Sequence, residues 1–169
     1  MVSSSVKIYR SGVVDAKIPI VCQADMFYIE HTQKIILSSR NYEPDLRDYF
    51  MYATNGFWAG SVEFYEYSDV IKNLAGKMME YSGKDTERID YENGSLEGKS
   101  LYHLTLAVYA TDALGHTNIH FTMVDNADLH GGGNAEFYIQ TVPIEINKIG
   151  GNFLACCESN VKKEWSNQV

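Results

Sequence analysis

Residues 57–67 read FWAGSVEFYEY, and residues 68–81, which follow directly, read SDVIKNLAGKMMEY. The first stretch alternates, with Val62 and Phe64 on one side and Glu63 on the other, as in a strand with one buried face. The second stretch repeats apolar residues at helical spacing. These residues are Ile71, Leu74, Ala75, Met78 and Tyr81. We therefore predict a strand over residues 57–67 and a helix over residues 69–81, with Ser68 as the N-cap.

Apolar and aromatic runs on both sides of this pair predict further strands. The predicted strands cover residues 6–14, 18–29, 34–38, 86–92, 101–111, 116–124 and 135–142. Asn93 and Gly94 predict a hairpin turn, because both residues tolerate positive φ. Residues 40–53 contain Pro44 and several charges, so they are predicted to form a loop or a short irregular segment.

The C-terminal part of the chain predicts a second helix over residues 143–158. Pro143 suits the first helical position, and apolar residues continue at helical spacing to Cys157. Gly150 and Gly151 weaken a helix interior, so we expect a kink or a later start there. The polar residues 159–169 are expected to fray.

This order of elements predicts a single domain over residues 1–169 with an α+β, mainly β fold. Short connections permit antiparallel pairing, whereas each parallel pair needs a long crossover. We expect a twisted antiparallel sheet or a sandwich, with one central helix and one C-terminal helix packed on it.

The net charge of the chain indicates which kinds of partner it can bind. Acidic residues outnumber basic ones by 22 to 14, which gives a net charge of −8. Such a field repels phosphate backbones and anionic lipids, so a protein partner is expected, with no nucleic acid and no membrane. The sequence shows no apolar stretch of signal-peptide or membrane-helix length, and its three cysteines (Cys22, Cys156, Cys157) suggest reduced packing residues. We expect a cytoplasmic protein.

Two sets of residues are candidates for a catalytic or metal site. His116 and His120 have the spacing of helical zinc ligands, but a strand separates them by about 13 Å, too far for one ion. Asp125, Asp128 and His130 gather possible ligands without the pattern of a calcium loop. We therefore predict a non-enzymatic protein without a metal or cofactor. A metal-dependent enzyme using either set remains an alternative, as does a module that binds sugar or peptide.

Several short motifs carry a resemblance to a known family. They are GFWAGSVEF (56–64), SDVI opening a helix (68–71), DALGHTNI (112–119) and AEFYIQT (135–141). This succession resembles the WapI-type family of small bacterial immunity proteins and related domains found beside polymorphic toxins. The resemblance covers about residues 55–158, and it implies a protein that binds and neutralises a cognate toxin, expected to be basic.

No inhibitory residue carries over from that family, so a contact region is predicted from residue type alone. Interfaces favour exposed aromatic side chains, here beside acidic ones that suit a basic partner. The predicted contact residues are Tyr42, Asp45, Asp48, Tyr49, Tyr52 and Trp58.

Overall fold

A computed structural model describes residues 32–95, 100–126, 132–158 and 162–168, which form eight strands and two helices. The first half contains β1 (Thr32–Asn41), β2 (Leu46–Thr54), β3 (Ala59–Tyr67) and α1 (Ser68–Glu80). The second half contains β4 (Arg88–Gly94), β5 (Tyr102–Ala110), β6 (Thr117–Asp125), β7 (Gly133–Thr141), α2 (Pro143–Glu158) and β8 (Lys163–Gln168). The predicted α+β, mainly β fold is confirmed. The strands predicted over residues 6–14 and 18–29 lie outside the described residues.

The strands form two antiparallel sheets of four. The order is β3-β2-β1-β8 in the first sheet and β4-β5-β6-β7 in the second. The edge strand β3 lies close to all four strands of the second sheet, so the two sheets meet along it. The helices pack against each other, α1 beside β3 and β4, and α2 beside β1 and β8. One buried apolar cluster contains residues from both sheets and both helices.

The stretch that decided the predicted fold behaves as its alternation indicates. In β3, Val62 and Phe64 are buried, whereas Ser61, Glu63 and Tyr65 are exposed. Helix α1 matches the predicted helix to within one residue at each end. The predicted N-cap at Ser68 is wrong: Tyr67 occupies the cap position, and no side chain caps the helix.

The loop predicted over residues 40–53 is also wrong. β1 continues to Asn41, β2 begins at Leu46, and only the short turn between them is irregular. Tyr49, Met51 and Ala53 alternate inward and are buried. The alternation was missed because the charges of Arg47 and Asp48 suggested a solvated loop.

The hairpin turn predicted at Asn93 and Gly94 is not formed by these residues. Both belong to β4, where they pair with Leu104 and His103 of β5. Gly94 does adopt the positive φ that the sequence indicated, at 81°. The strand therefore continues through the glycine, and the connection to β5 begins after it.

The C-terminal predictions are confirmed in part. Pro143 is the first residue of α2, and the helix runs from there to Glu158, so the later start predicted at Gly150 and Gly151 is wrong. The kink, the other form of that expectation, stays a prediction. Gly150 is where α1 approaches: a Cβ there would lie 2.8 Å from the Ala75 carbonyl oxygen. The fraying predicted for residues 159–169 is wrong for β8, which pairs with β1.

The two adjacent cysteines are free and buried, as the predicted packing role requires. Burial raises the pKa of both the Cys156 and Cys157 thiols. A buried thiol with a raised pKa is a poor nucleophile at neutral pH.

Candidate functional site

A groove of about 630 Å³ lies where the outer face of β3 meets the ends of β5, β6 and β7. It follows β3 from Ala59 to Tyr65, and residues from both sheets line it. Those with the chemistry to hold a ligand are Phe50, Glu63, Tyr65, Leu101, Tyr102 and Asp125. The whole opening, with all the residues that line it, is called the groove below.

The position of β3 at the edge of its sheet creates the groove. The second sheet reaches this edge through side chains: the Tyr65 amide donates to the Tyr102 hydroxyl at 3.3 Å, and Asn93 Nδ2 donates to the Tyr65 carbonyl at 3.1 Å. At the other end of β3, a Cβ added to Gly60 would lie 2.8 Å from the Ala135 Cβ. The two sheets therefore touch along β3, and the outer face beside this contact stays open.

Acidic groups dominate the charge of the groove. Nε and Nη2 of Arg40 both lie 2.5 Å from Oδ2 of Asp48, whose side chain is only 8% exposed. That hydrogen bond raises the pKa of the Arg40 guanidinium, and the nearby Glu63 carboxylate contributes. Glu63 is exposed and makes no salt bridge with any of the described residues. Its negative charge therefore faces solvent in the groove.

Two aromatic residues are neighbours of Glu63 on the outer face of its sheet. Phe50 lies directly opposite Glu63 on β2, and Tyr65 follows on the same face of β3. The Tyr65 ring makes an edge-to-face contact with Tyr42, with ring centroids 4.9 Å apart. Tyr42 and Tyr65 are 61% and 44% exposed, so a partner can reach their rings.

The predicted contact residues are distributed unequally around this groove. Tyr42, Asp45 and Trp58 are exposed and Tyr52 is half-buried, whereas Asp48 is buried beneath Arg40. Asp48 lines the groove, Tyr42 packs against Tyr65, and Trp58 directly precedes the groove residue Ala59. The structure therefore places Asp48 in the groove, and Tyr42 beside it through its contact with Tyr65, whereas Trp58 is not among the residues that line the groove.

Tyr49 cannot contact a partner, because its side chain is fully buried in the core. Its hydroxyl lies 3.5 Å from Cys157 Sγ, and burial raises the pKa of Tyr49. The prediction was wrong here because it treated residues 40–53 as a loop, in which every side chain is accessible. In β2, every second side chain points inward.

Trp58 is held at the tip of the β2–β3 connection. Asn55 Oδ1 accepts hydrogen bonds from the amides of Phe57 and Trp58, at 3.0 and 2.8 Å. Asn55 Nδ2 donates to the Tyr138 carbonyl at 3.0 Å, which fixes the connection against the edge strand β7. Trp58 is thus presented to solvent from an ordered turn, with 52% of its surface exposed.

Sequence reasoning missed Phe50, Glu63, Tyr65, Leu101 and Tyr102 as groove residues. The signal for Glu63 and Tyr65 was available in part, because the alternation of residues 57–67 puts them on the same side of the strand, opposite Val62 and Phe64. No local signal identified Leu101 and Tyr102, since only the meeting of the two sheets brings them to β3.

The histidines considered as metal ligands have separate carboxylate partners. His116 Nδ1 pairs with Asp112, which lowers the pKa of that aspartate, whereas His120 Nε2 lies 3.0 Å from Glu136. His120 also stacks on Tyr138, with ring centroids 4.3 Å apart. Asp125 ends β6 and lines the groove, while Asp128 and His130 lie outside the described residues. Among the residues described, no three metal-binding side chains converge.

Comparison with known proteins gives a structural likeness but no family. No protein-family model and no curated protein matches the chain. A solved structure titled "Crystal Structure of WHY3 from Arabidopsis thaliana" is similar over 79% of this chain and 89% of that chain. The TM-score is 0.42 and the sequence identity is 11%, a level at which nothing about function carries over. Neither α1 nor α2, the helices of the described residues, has the length and apolar character to span a bilayer.

Proposed function

We propose that this protein is a non-catalytic binding protein whose groove holds a cationic surface of a protein partner. The observation that carries the proposal is the exposed Glu63 carboxylate, which has no salt bridge among the described residues and has Phe50 opposite it on β2 and Tyr65 two residues along β3. A carboxylate flanked by accessible rings suits a basic side chain, which gains both ionic and cation–π attraction.

The composition of the groove matches what protein interfaces use. Binding energy concentrates in aromatic residues that a partner desolvates, and Tyr65 and Phe50 are accessible for this. The net charge of −8 adds long-range attraction for a basic partner, which accelerates encounter more than it strengthens the final complex.

Toxin neutralisation is the form of this function that the family resemblance supports. An immunity protein acts by occupying its toxin, so it needs a complementary surface and no reactive groups. The proposal includes a cytoplasmic location, where such a toxin threatens the cell that makes it. The cationic partner is then the basic domain of a toxin encoded beside this chain.

The test is co-expression with the basic domain encoded by the adjacent reading frame, followed by calorimetric titration of the purified proteins. We expect a tight one-to-one complex and rescue of cell growth. Tyr65→Ala is expected to weaken the complex about tenfold or more, the loss typical of an interface aromatic. Tyr138→Ala is the matched control, because Tyr138 is 45% exposed on a strand of the second sheet and does not line the groove.

Two outcomes contradict the proposal. One is that the adjacent product neither binds this chain nor harms cells. The other is a complex that Tyr65→Ala and Tyr138→Ala weaken equally, because the groove would then have no special role.

A second candidate function, sugar binding, draws on the same groove. Aromatic faces combined with a few polar groups in a concave site also suit small ligands. Calorimetric titration with a glycan panel tests this candidate, and heat released by one glycan that Tyr65→Ala abolishes would favour it over a protein partner.

A further inference from the structure

We infer that the groove binds an arginine side chain of its partner, with the guanidinium against Glu63 and beside the rings of Phe50 and Tyr65. This inference rests on the proposed function and adds the chemistry of the residue that is recognised. It follows from the arrangement of Glu63, its neighbours on β2 and β3, and Arg40.

The strand register places two aromatic residues next to Glu63, one across the strands and one along β3. Glu63 pairs across the sheet with Phe50, and Tyr65 lies two residues further along the same face. Directly paired side chains on one face of a sheet lie about 5 Å apart. Side chains two residues apart on one strand lie about 7 Å apart, twice the rise per residue. A flat cation bound to Glu63 therefore lies within reach of both rings.

Arginine fits this setting better than lysine. Its guanidinium is planar, weakly hydrated and able to donate two parallel hydrogen bonds to one carboxylate while it stacks on an aromatic face. Lysine offers a compact, strongly hydrated charge that loses more hydration in a groove with apolar walls. The rings of Phe50 and Tyr65 thus favour the guanidinium.

The chain's own Arg40 shows that this face accommodates a guanidinium. Its Nε and Nη2 both bind Oδ2 of Asp48, and 75% of its side chain is exposed. Asp48 faces Tyr65 across the strands, one step along the groove from Glu63. The hydrogen bonds of Arg40 go to Asp48, so the Glu63 carboxylate can still accept hydrogen bonds from a partner's cation. The charge of Arg40 lies near Glu63 and weakens the binding of that second cation.

The experiment is a titration of the full chain with three blocked tripeptides, followed by amide chemical shifts in ¹H–¹⁵N spectra. The peptides place arginine, lysine or citrulline between two glycines. Citrulline keeps the shape of arginine and lacks its charge. We expect the arginine peptide to shift the amides of Ser61, Glu63 and Tyr65, the lysine peptide to bind more weakly, and the citrulline peptide to leave them unchanged.

Two charge variants sharpen the test. Glu63→Gln is expected to weaken arginine binding about tenfold, the loss of a hydrogen bond to a charged group. Glu80→Gln removes the same charge from the exposed surface of α1 and is expected to leave binding unchanged. Arg40→Gln is expected to tighten binding about two- to fivefold, the size of a surface charge interaction. The spectrum of each variant reports whether it is folded.

Equal binding of the arginine and citrulline peptides would overturn the inference, as would arginine binding that Glu63→Gln leaves intact. The partner complex separates this failure from failure of the proposed function. A complex that Tyr65→Ala weakens and Glu63→Gln does not would remove the arginine site and keep the binding groove. If neither variant weakens the complex, both ideas fail.

Discussion

Gly150 and Gly151 are adjacent residues of the same type in α2, but one is crowded by another helix and the other is not. A Cβ on Gly150 would meet the Ala75 carbonyl oxygen at 2.8 Å and the Met79 amide nitrogen at 2.9 Å, both backbone atoms of α1. A Cβ on Gly151 would meet no atom within 4 Å. The first glycine permits the helices to touch, whereas the second has no such role.

Gly150→Ala is therefore expected to lower the free energy of unfolding by about 1–3 kcal/mol, the usual cost of overpacking. Gly151→Ala is the control, and it is expected to raise the free energy by about 0.5–1 kcal/mol, because alanine is the better helix former. Urea denaturation followed by circular dichroism measures both. Stabilisation by both substitutions would show that α1 and α2 separate easily at Gly150.

At the scale of elements, β8 is held by one large side chain. Trp165 is 5% exposed, pairs with Ile35 of β1, and donates its indole N–H to Glu145 Oε2 at 2.8 Å. Two hydrogen bonds lower the pKa of Glu145, the larger effect coming from Lys148 and the smaller from Trp165. The indole therefore links β8 to the first turn of α2 as well as to the first sheet.

Trp165→Ala is expected to lower the free energy of unfolding by about 3–5 kcal/mol, as for other buried aromatic residues. Trp165→Phe is expected to cost less, and part of its cost depends on pH. A carboxylate with a lowered folded-state pKa stabilises the fold above its unfolded pKa of about 4.3, and this stability is lost as the pH falls through the folded value.

The difference in stability between the native chain and Trp165→Phe should thus shrink as the pH falls below about 4. Urea denaturation at a series of pH values measures it. A difference that stays constant through this range would mean that the indole N–H does not contribute to holding the Glu145 charge.

The strands that sequence reasoning missed share a physical cause. β2 carries Arg47 and Asp48 near its start, and β8 consists mostly of polar residues around Trp165. Local charge indicated solvated segments, but both strands gain their stability from partners distant in sequence. β8 pairs with β1 more than a hundred residues earlier in the chain, which no local pattern encodes.

At the scale of the whole molecule, the effect of the net charge differs in range from the effect of the Glu63 charge. The net charge of −8 acts over long distances, whereas Glu63 acts only on what enters the groove. The association rate with the proposed basic partner is expected to fall steeply from about 0.01 M to 1 M salt, as the Debye length falls from about 30 to 3 Å.

Charge reversal distinguishes the two effects. Glu63→Lys and Glu80→Lys change the net charge equally, so both are expected to slow association to a similar extent. Only Glu63→Lys is expected to accelerate dissociation, because a buried contact controls that rate. Stopped-flow measurements resolve both constants. Equal dissociation rates for the two variants would place the contact elsewhere.

The sequence by itself determined the α+β class, helix α1, the start of α2 and the inward face of β3, because each depends on the spacing of neighbouring residues. It also fixed the acidic charge. The tertiary structure decided that β2 and β8 are strands, that Gly150 is a helix contact and that Tyr49 is buried. It also assembled the groove, since Tyr102 reaches Tyr65 only where two sheets meet. Periodicity reports which way a side chain points, whereas only the packing of distant segments decides what it meets.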